Sequence, residues 1–176
     1  FSSTLKIATY AMIISMIIGI PVGIISAIKQ YSGIDVIAIM SSLLLTSIPP
    51  FWLGLMLIML FTLTLHWLPS VGSTSWKSFI MPSIAMAAAQ MATLIRMTRS
   101  TMLEVIRQDY IRTAKSKGAS EGWIILKHSL RNALMPIITV IGIDFGNLLG
   151  GALIIENVFG ISGLGTLMVT SVKSKD

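Results

Sequence analysis

The chain has 176 residues, 54% of them hydrophobic and only 11% charged, with a net charge of +6 and no cysteine. Soluble domains carry roughly a quarter charged residues, so there is too little polar surface here to coat a water-soluble globule; the lack of cysteine excludes a disulfide framework and a thiolate metal site. A mean hydropathy of +0.85 makes a membrane domain the economical reading, and the concentration of basic residues beside apolar runs reads as topology rather than nucleic-acid binding.

Phe1 is not an initiator and no basic segment precedes the first apolar run, so nothing reads as a signal peptide, and the expectation is of a piece cut from a longer chain. Residues 7–28 make a first span, about 33 Å of helix against a bilayer core of about 30 Å. Gly19 and Gly23 form a G-x-x-x-G pair that lets a neighbouring helix approach, and Pro21 between them is expected to bend the helix. A short polar turn from Lys29 to Asp35 follows. Residues 36–65 would make about 45 Å of helix, more than one crossing needs. Pro49-Pro50 interrupts them, because a residue before proline is pushed from helical angles. The freed backbone at that depth needs neighbouring helices or a wet cavity. Ser41, Ser42, Thr46 and Ser47 gather just before the break, where they either face a translocation path or bond back to their own helix.

His66 to Lys77 reads as a loop, with His66 beside Trp67 a membrane-boundary residue rather than a metal ligand. The third span, 79–106, carries Ala85, Ala88, Ala89 and Ala92 at close-packing spacing. Gln90 lies inside it, facing a pore or bonding another helix. The helical pattern runs on through Arg96, Arg99, Met102 and Ile106, so this span projects beyond the membrane. Between Arg96 and Arg131 stand eight of the thirteen basic residues against three acidic ones, which places the intervening loop on the cytoplasmic side. In the loop, residues 107–131, Tyr110, Ile111, Ala114 and Gly118 recur at helical spacing while Arg112, Lys115 and Ser116 look elsewhere. Gly118 ends that turn, where positive φ is wanted. Ser120 can cap a second helix with Glu121 in its first turn and Trp123, Leu126, Leu130 and Leu134 along one side. Two short helices about a glycine make a compact knob.

The fourth span is 133–155; if Asn132 caps it, Pro136 falls in its first turn, where its missing N–H would lack a partner in any case. Gly142, Gly146 and Gly150 stand four apart on one face, a stripe for another helix or a subunit interface. Asp144 lies about 18 Å in from Asn132 by helical rise, where an ionisable group is costly and a functional candidate by default; the alternative is a buried structural hydrogen bond to Gln90 or a serine. Asn147 joins the candidate path residues one turn on. Residues 156–176 hold three glycines and an apolar helix near 164–172, too short to span, expected at the outer face. Four crossings put both ends of the piece outside and the basic loop inside.

The loop YIRTAKSKGASEGWIILKHSLRNALMP, with MTRSTMLEVIRQDY before it, SIPPFWLGL in the second apolar run and LLGGALIIENVF and GLG after it, resembles the permease subunit of binding-protein-dependent ABC importers, in the dipeptide/oligopeptide/nickel permease family. The general EAA pattern is met only in part: Arg112, Thr113 and Ala114 occupy the Glu-Ala-Ala slots before Gly118, and Leu130 alone matches in Ile-x-Leu-Pro. The peptide-permease version fits nearly residue for residue. The resemblance implies an all-α, polytopic membrane helical bundle, the type I ABC importer transmembrane domain seen in methionine importers, with a further helix before Phe1 and another after Asp176. It implies a second homologous permease subunit, cytoplasmic ATPase subunits and an extracytoplasmic solute-binding protein as partners, beside the lipid bilayer. The implied cargo is a short peptide, or nickel held by a carrier.

No phosphate-binding G-x-x-x-x-G-K-[ST], no H-E-x-x-H and no G-x-S-x-G occurs, so neither ATP hydrolysis nor other catalysis, and no cofactor or metal, is expected of this chain. Two classes of function stay in view. In one, Gly118 supplies a turn, Ala114 permits close contact, Tyr110 and Ile111 anchor an apolar face, and Arg112, Lys115 and Lys117 pair with acidic groups on an ATPase. In the other, the chain is a self-sufficient channel or secondary transporter with Asp144 as its ion site. The resemblance favours the first.

Overall fold

In the computed structural model, which describes residues 2–69, 72 and 75–174, the apolar runs become helices α1 (Ser2–Ile28), α2 (Gly33–Ser47) and α3 (Pro50–Leu57), the last continued by a π-helical stretch, Ile58–Thr64. A 3-10 turn (Trp76–Phe79) leads into α4 (Ile80–Ile106), followed by α5 (Asp109–Ser116), α6 (Glu121–Trp123), a second π-helical stretch (Ile124–Ser129), α7 (Leu130–Val158) and α8 (Leu164–Ser174). Lys175 and the loop residues Ser70, Val71, Ser73 and Thr74 lie outside the described residues. Among the described residues, three helices, Ser2–Ile28, Trp76–Ile106 and Glu121–Val158, are long and apolar enough to cross a membrane, or four if the pair Gly33–Ser47 and Pro50–Thr64, bent by 94°, is one broken span.

The bend follows from local sterics. Ile48, held extended before Pro49 at φ −89° and ψ 119°, ends α2, and Pro50 opens α3 at a position whose N–H would lack a partner in any case. Pro21, in contrast, stands inside α1 without ending it.

The most interior of the three long helices is α4, with 67% of its most apolar window buried against 39% for Ser2–Ile28 and 22% for Glu121–Val158. Small residues make that possible. A Cβ on Gly19 would lie 2.9 Å from Leu94 Cβ, and one on Gly23 would lie 2.6 Å from Thr98 Cβ and 2.8 Å from the Ile95 carbonyl oxygen, so the backbones of α1 and α4 meet in a way only glycine permits. Ser15 of α1 bonds across the same seam, its Oγ donating to the Ala87 carbonyl at 3.1 Å. One apolar cluster, built on Ile7, Ala11, Met81, Ala85, Leu148 and Ile155, joins α1, α4 and α7. A second, around Ala27, Leu94, Met102, Ala133 and Ile137, joins the same helices at the end that bears the basic segment.

One expectation fails. Asn132 does not cap a fourth span, because the helix is continuous over 38 residues from Glu121 to Val158; Asn132 sits inside it, its Nδ2 donating to the His128 carbonyl at 2.9 Å, and Pro136 is internal to α7. Between Trp123 and Met135 no glycine or proline interrupts the chain, so nothing local competes with helix, and the π-helical turns carry the backbone bonding through the basic residues. The second half of the expected knob is thus the foot of the last long helix.

Candidate functional site

The basic segment starts where α4 stops. Arg107 closes α4, and Gln108, extended at φ −71° and ψ 149°, turns the chain into α5. Gly118 ends α5 with φ +82°. Its N–H donates to the Lys115 carbonyl at 2.9 Å, and Ala119 N–H to the Ala114 carbonyl at 3.3 Å, so the left-handed residue closes the helix's last carbonyls. Ser120 occupies the N-cap before Glu121, but its side chain makes no capping bond.

Of the four residues expected on one face of α5, Ile111 departs from the other three. Ile111, 1% exposed, points inward against Ala27, Ile28, Ile106 and Ile124, whereas Tyr110 is 44% exposed. Tyr110, Thr113, Ala114, Lys117 and Gly118 instead line an open groove of about 430 Å³ whose far wall is Trp123 and His128 at the foot of the long helix. Tyr110 Oη accepts from Asn132 Nδ2 at 2.9 Å, and Lys127 Nζ lies 4.7 Å from the centre of the Trp123 ring, so this wall is held from both sides. Arg112 and Lys115 make loose contacts with Asp109 (3.9 Å) and Glu121 (3.8 Å); exposed pairs of this kind are worth about 0–1 kcal/mol, which leaves both cations free to change partner. Lys117 is exposed beside them.

A second place lies within the bundle. Pro50, at the bend between α2 and α3, lines a cavity of about 110 Å³ with Met86, Ala89 and Gln90 of α4 and Asn147, Leu148, Gly151 and Ile155 of α7. Two of the expected path residues, Gln90 and Asn147, therefore line one cavity at the break. Asp144 lies on α7 one turn before Asn147 and Leu148, is buried, and has one carboxylate oxygen, Oδ2, without a hydrogen-bond partner. The hydroxyls of α2 do not reach the cavity. Ser41 Oγ donates to the Ala38 carbonyl at 3.0 Å, Ser42 Oγ to Ile39 at 2.7 Å and Thr46 Oγ1 to Ser42 at 2.8 Å, all within their own helix. Gly142, Gly146 and Gly150 face open space, with no atom within 4 Å of where a Cβ would stand. His66, exposed, has Nδ1 2.8 Å from the Thr62 carbonyl, and among the described residues no three His, Cys, Asp or Glu side chains gather as a metal site.

Two carboxylates that the sequence reading passed over are the best-satisfied polar groups in the bundle. Asp35 receives Arg99 in a two-point pair, Nε to Oδ1 at 2.6 Å and Nη2 to Oδ2 at 2.8 Å, together with Ser26 Oγ at 2.5 Å and Tyr31 N–H at 2.9 Å. Glu156, fully buried, accepts from Thr4 Oγ1 and from Gly165 N–H at 2.8 Å, and so holds the first turn of α8. A Cβ on Gly163 would overlap that carboxylate, which explains the small residues of the Gly-Leu-Gly turn. The Ser32-x-x-Asp35 spacing was a legible capping signal; the partners, 64 and 152 positions away, were not.

The profile of the family described as "Binding-protein-dependent transport system inner membrane component" matches residues 19–176. The chain belongs to this family. Its members lie in the inner membrane, and the several long apolar helices make the chain a multi-pass protein of the cell membrane. It is 42% identical over all 176 residues to the glutathione transport system permease protein GsiC of Escherichia coli (strain K12) and to that of Shigella flexneri serotype 5b, and 41% identical to that of Salmonella choleraesuis (strain SC-B67); it spans 58% of the length of each. The fold matches a chain of the MetNI methionine ABC transporter in inward-facing conformations. In the native crystal form the TM-score is 0.74 at 21% identity, covering 96% of this chain and 76% of that one; in a selenomethionine-soaked form it is 0.73 at 20% identity, covering 97% and 77%. The architecture is accordingly the transmembrane domain of a type I ABC importer.

Proposed function

We propose that this chain is the membrane-spanning permease subunit of an ABC importer that carries short peptides. ATP is hydrolysed by partner subunits, and their motion enters through α5. The observation that carries this reading is the groove beside α5 at the end of α4, in a chain of this family. Tyr110, Ala114 and Gly118 form one side of the groove with Thr113 and Lys117, Ile111 roots α5 in the bundle, and Arg112, Lys115 and Glu121 stand exposed elsewhere on the segment as further polar groups suited to a protein partner. Positive charge held inside the cell by the bilayer's topology rule agrees with a cytoplasmic ATPase as that partner. A second homologous permease subunit fits the open glycine stripe of α7, and a solute-binding protein delivers cargo on the outer side.

The path runs through the cavity at the α2–α3 bend, where Gln90 and Asn147 present amides, with the Asp144 carboxylate buried one turn away along α7. Amides suit peptide groups, and the similar proteins named for glutathione, a tripeptide, support that class of cargo over nickel. ATP-driven closure of the ATPases moves α5, and packed helices convert that motion into alternating access.

Gly118→Arg tests the coupling. It places a bulky residue at φ +82° in the groove, and the expected outcome is normal membrane insertion with loss of both ATPase co-purification and uptake. Uptake at the unmodified rate, or transport that continues with the ATPase subunits deleted, favours a self-sufficient channel instead.

A further inference from the structure

Arg99 stands two turns before the end of α4, and α4 passes into α5 through only Arg107 and Gln108. It is therefore on the first rigid element that any movement of α5 would reach. Its guanidinium is 20% exposed and its carboxylate partner, Asp35, 3% exposed. Asp35 lies in the first turn of α2, and the same carboxylate takes Ser26 Oγ from the last turn of α1 and the N–H of Tyr31 from the turn between them. Tyr31 is held there at φ +64°, a conformation that side-chain-bearing residues adopt only under constraint. Four hydrogen bonds thus converge on one carboxylate from three elements.

One turn earlier on α4, Arg96 reaches the other end of α2, donating from Nη1 to Thr46 Oγ1 at 2.9 Å and to the Ser42 carbonyl at 3.4 Å. Two arginines a turn apart hold α2 at both ends. Immediately beyond Thr46 comes the break at Ile48 and Pro49, and beyond that Pro50, which lines the cavity with Gln90 and Asn147.

We propose that Arg99, with Arg96, is a positioning residue for transport: its two-point clamp on Asp35 makes α1, α2 and α4 move as one body, so that displacement of α5 reaches the cavity at the α2–α3 bend. Packing already ties α1 to α4 along the Gly19 and Gly23 seam, but it holds α2 only lightly. The face of α2 is largely exposed, with Asp35, Ala38 and Ser42 its buried residues among the fifteen from Gly33 to Ser47, so the polar contacts add the orientation that this thin packing does not fix. A guanidinium fork bound at two points also fixes orientation, which a single lysine contact would not.

This inference rests on the coupling reading above, and its test separates the two. The full-length permease is assembled with its ATPase and binding-protein partners in vesicles, and cargo taken up per ATP hydrolysed is measured with glutathione as the probe. For Arg99→Gln the ATPase is expected to stay bound and hydrolyse ATP while the uptake-to-hydrolysis ratio falls about tenfold. The swapped pair, Asp35→Arg with Arg99→Asp, is expected to recover most of it. Arg99→Lys, which keeps charge but loses the fork, is expected between the two, and carries the test if Arg99→Gln fails to assemble. A merely structural role lowers hydrolysis and uptake together and leaves the ratio unchanged, which overturns the proposal; so does a swapped pair as uncoupled as Arg99→Gln. An unchanged ratio in Arg99→Gln beside lost ATPase binding in Gly118→Arg removes the clamp and leaves the coupling reading intact, whereas full uptake in Gly118→Arg removes both.

Discussion

A single methyl group distinguishes two kinds of glycine in this chain. At Gly23 it would press on Thr98 and the Ile95 carbonyl, while at Gly146 no atom lies within 4 Å. Gly23→Ala is expected to lower the stability of the purified subunit by about 1–3 kcal/mol, the usual range for overpacking. Gly146→Ala is expected to leave the isolated subunit unchanged or slightly firmer, since alanine is the better helix former by about 0.5–1 kcal/mol; melting curves in detergent compare the two. Both pairs look alike as G-x-x-x-G text, and only the neighbour decides which is packed. Glu156 is the other residue whose role depends on its surroundings. Glu156→Ala strips the acceptor from the Gly165 N–H and from Thr4 in a buried site, at about 1–3 kcal/mol for a stranded buried group. Glu156→Gln keeps a carbonyl acceptor, so the expected result is faster proteolysis near Gly163 and Leu164 in the alanine variant than in the glutamine one. Gly118 and Asp144 drew attention from sequence alone because their costs are local or depth-dependent. Asp35 and Glu156 did not, because what satisfies them arrives from distant positions.

At the level of the element, proline acts in two ways. Pro49 and Pro50 together break a helix by 94°, because the first forces Ile48 out of helical angles and the second begins a new helix. Single prolines at 21 and 136 leave α1 and α7 running. The break was legible because it depends on one clash and one missing N–H. Asn132 and Pro136 look like a beginning, whereas the run from Trp123 to Met135, free of glycine and proline, joins α7 to the helical turns before it. Replacing both Pro49 and Pro50 with alanine is expected to straighten the pair, so that spin labels at Gly33 and Thr64 move towards about 47 Å apart, the length of a continuous helix of that span. Uptake is expected to fall to less than a tenth, with insertion intact, since the Pro50 wall of the cavity is then lost. A label distance unchanged from the unmodified protein would show that packing, and not proline, holds the bend.

For the whole molecule, the decisive asymmetry is charge. Eight of thirteen basic residues lie between Arg96 and Arg131, yet they divide into two populations. Arg96 and Arg99 turn into the bundle, while Arg112, Lys115 and Lys117 stay exposed on α5 and its end. Lys115→Glu combined with Lys117→Glu is expected to weaken ATPase binding severalfold at 0.05 M salt, and the difference from the unmodified protein should shrink as salt rises and the Debye length contracts from about 10 Å near 0.1 M to about 3 Å at 1 M. Equal weakening at every salt concentration would mean that contact shape, not charge, dominates the docking. Reversing Arg99 should instead act on coupling with little dependence on salt, since its pair is shielded from solvent.

Hydropathy, proline pairs and the Gly118 turn carried the membrane class, the order of the helices, the bend and the turn that ends α5, because each depends on the bilayer's thickness or on dihedral limits within a few residues. The tertiary structure alone decided which glycines are packed, that Ile111 and Tyr110 part company across α5, that Gln90 and Asn147 line one cavity at the bend, and that Arg99 closes on Asp35. Those outcomes depend on which helices lie side by side, and a buried polar group is satisfied by whatever the packing brings within 3 Å, however far away it stands in the chain.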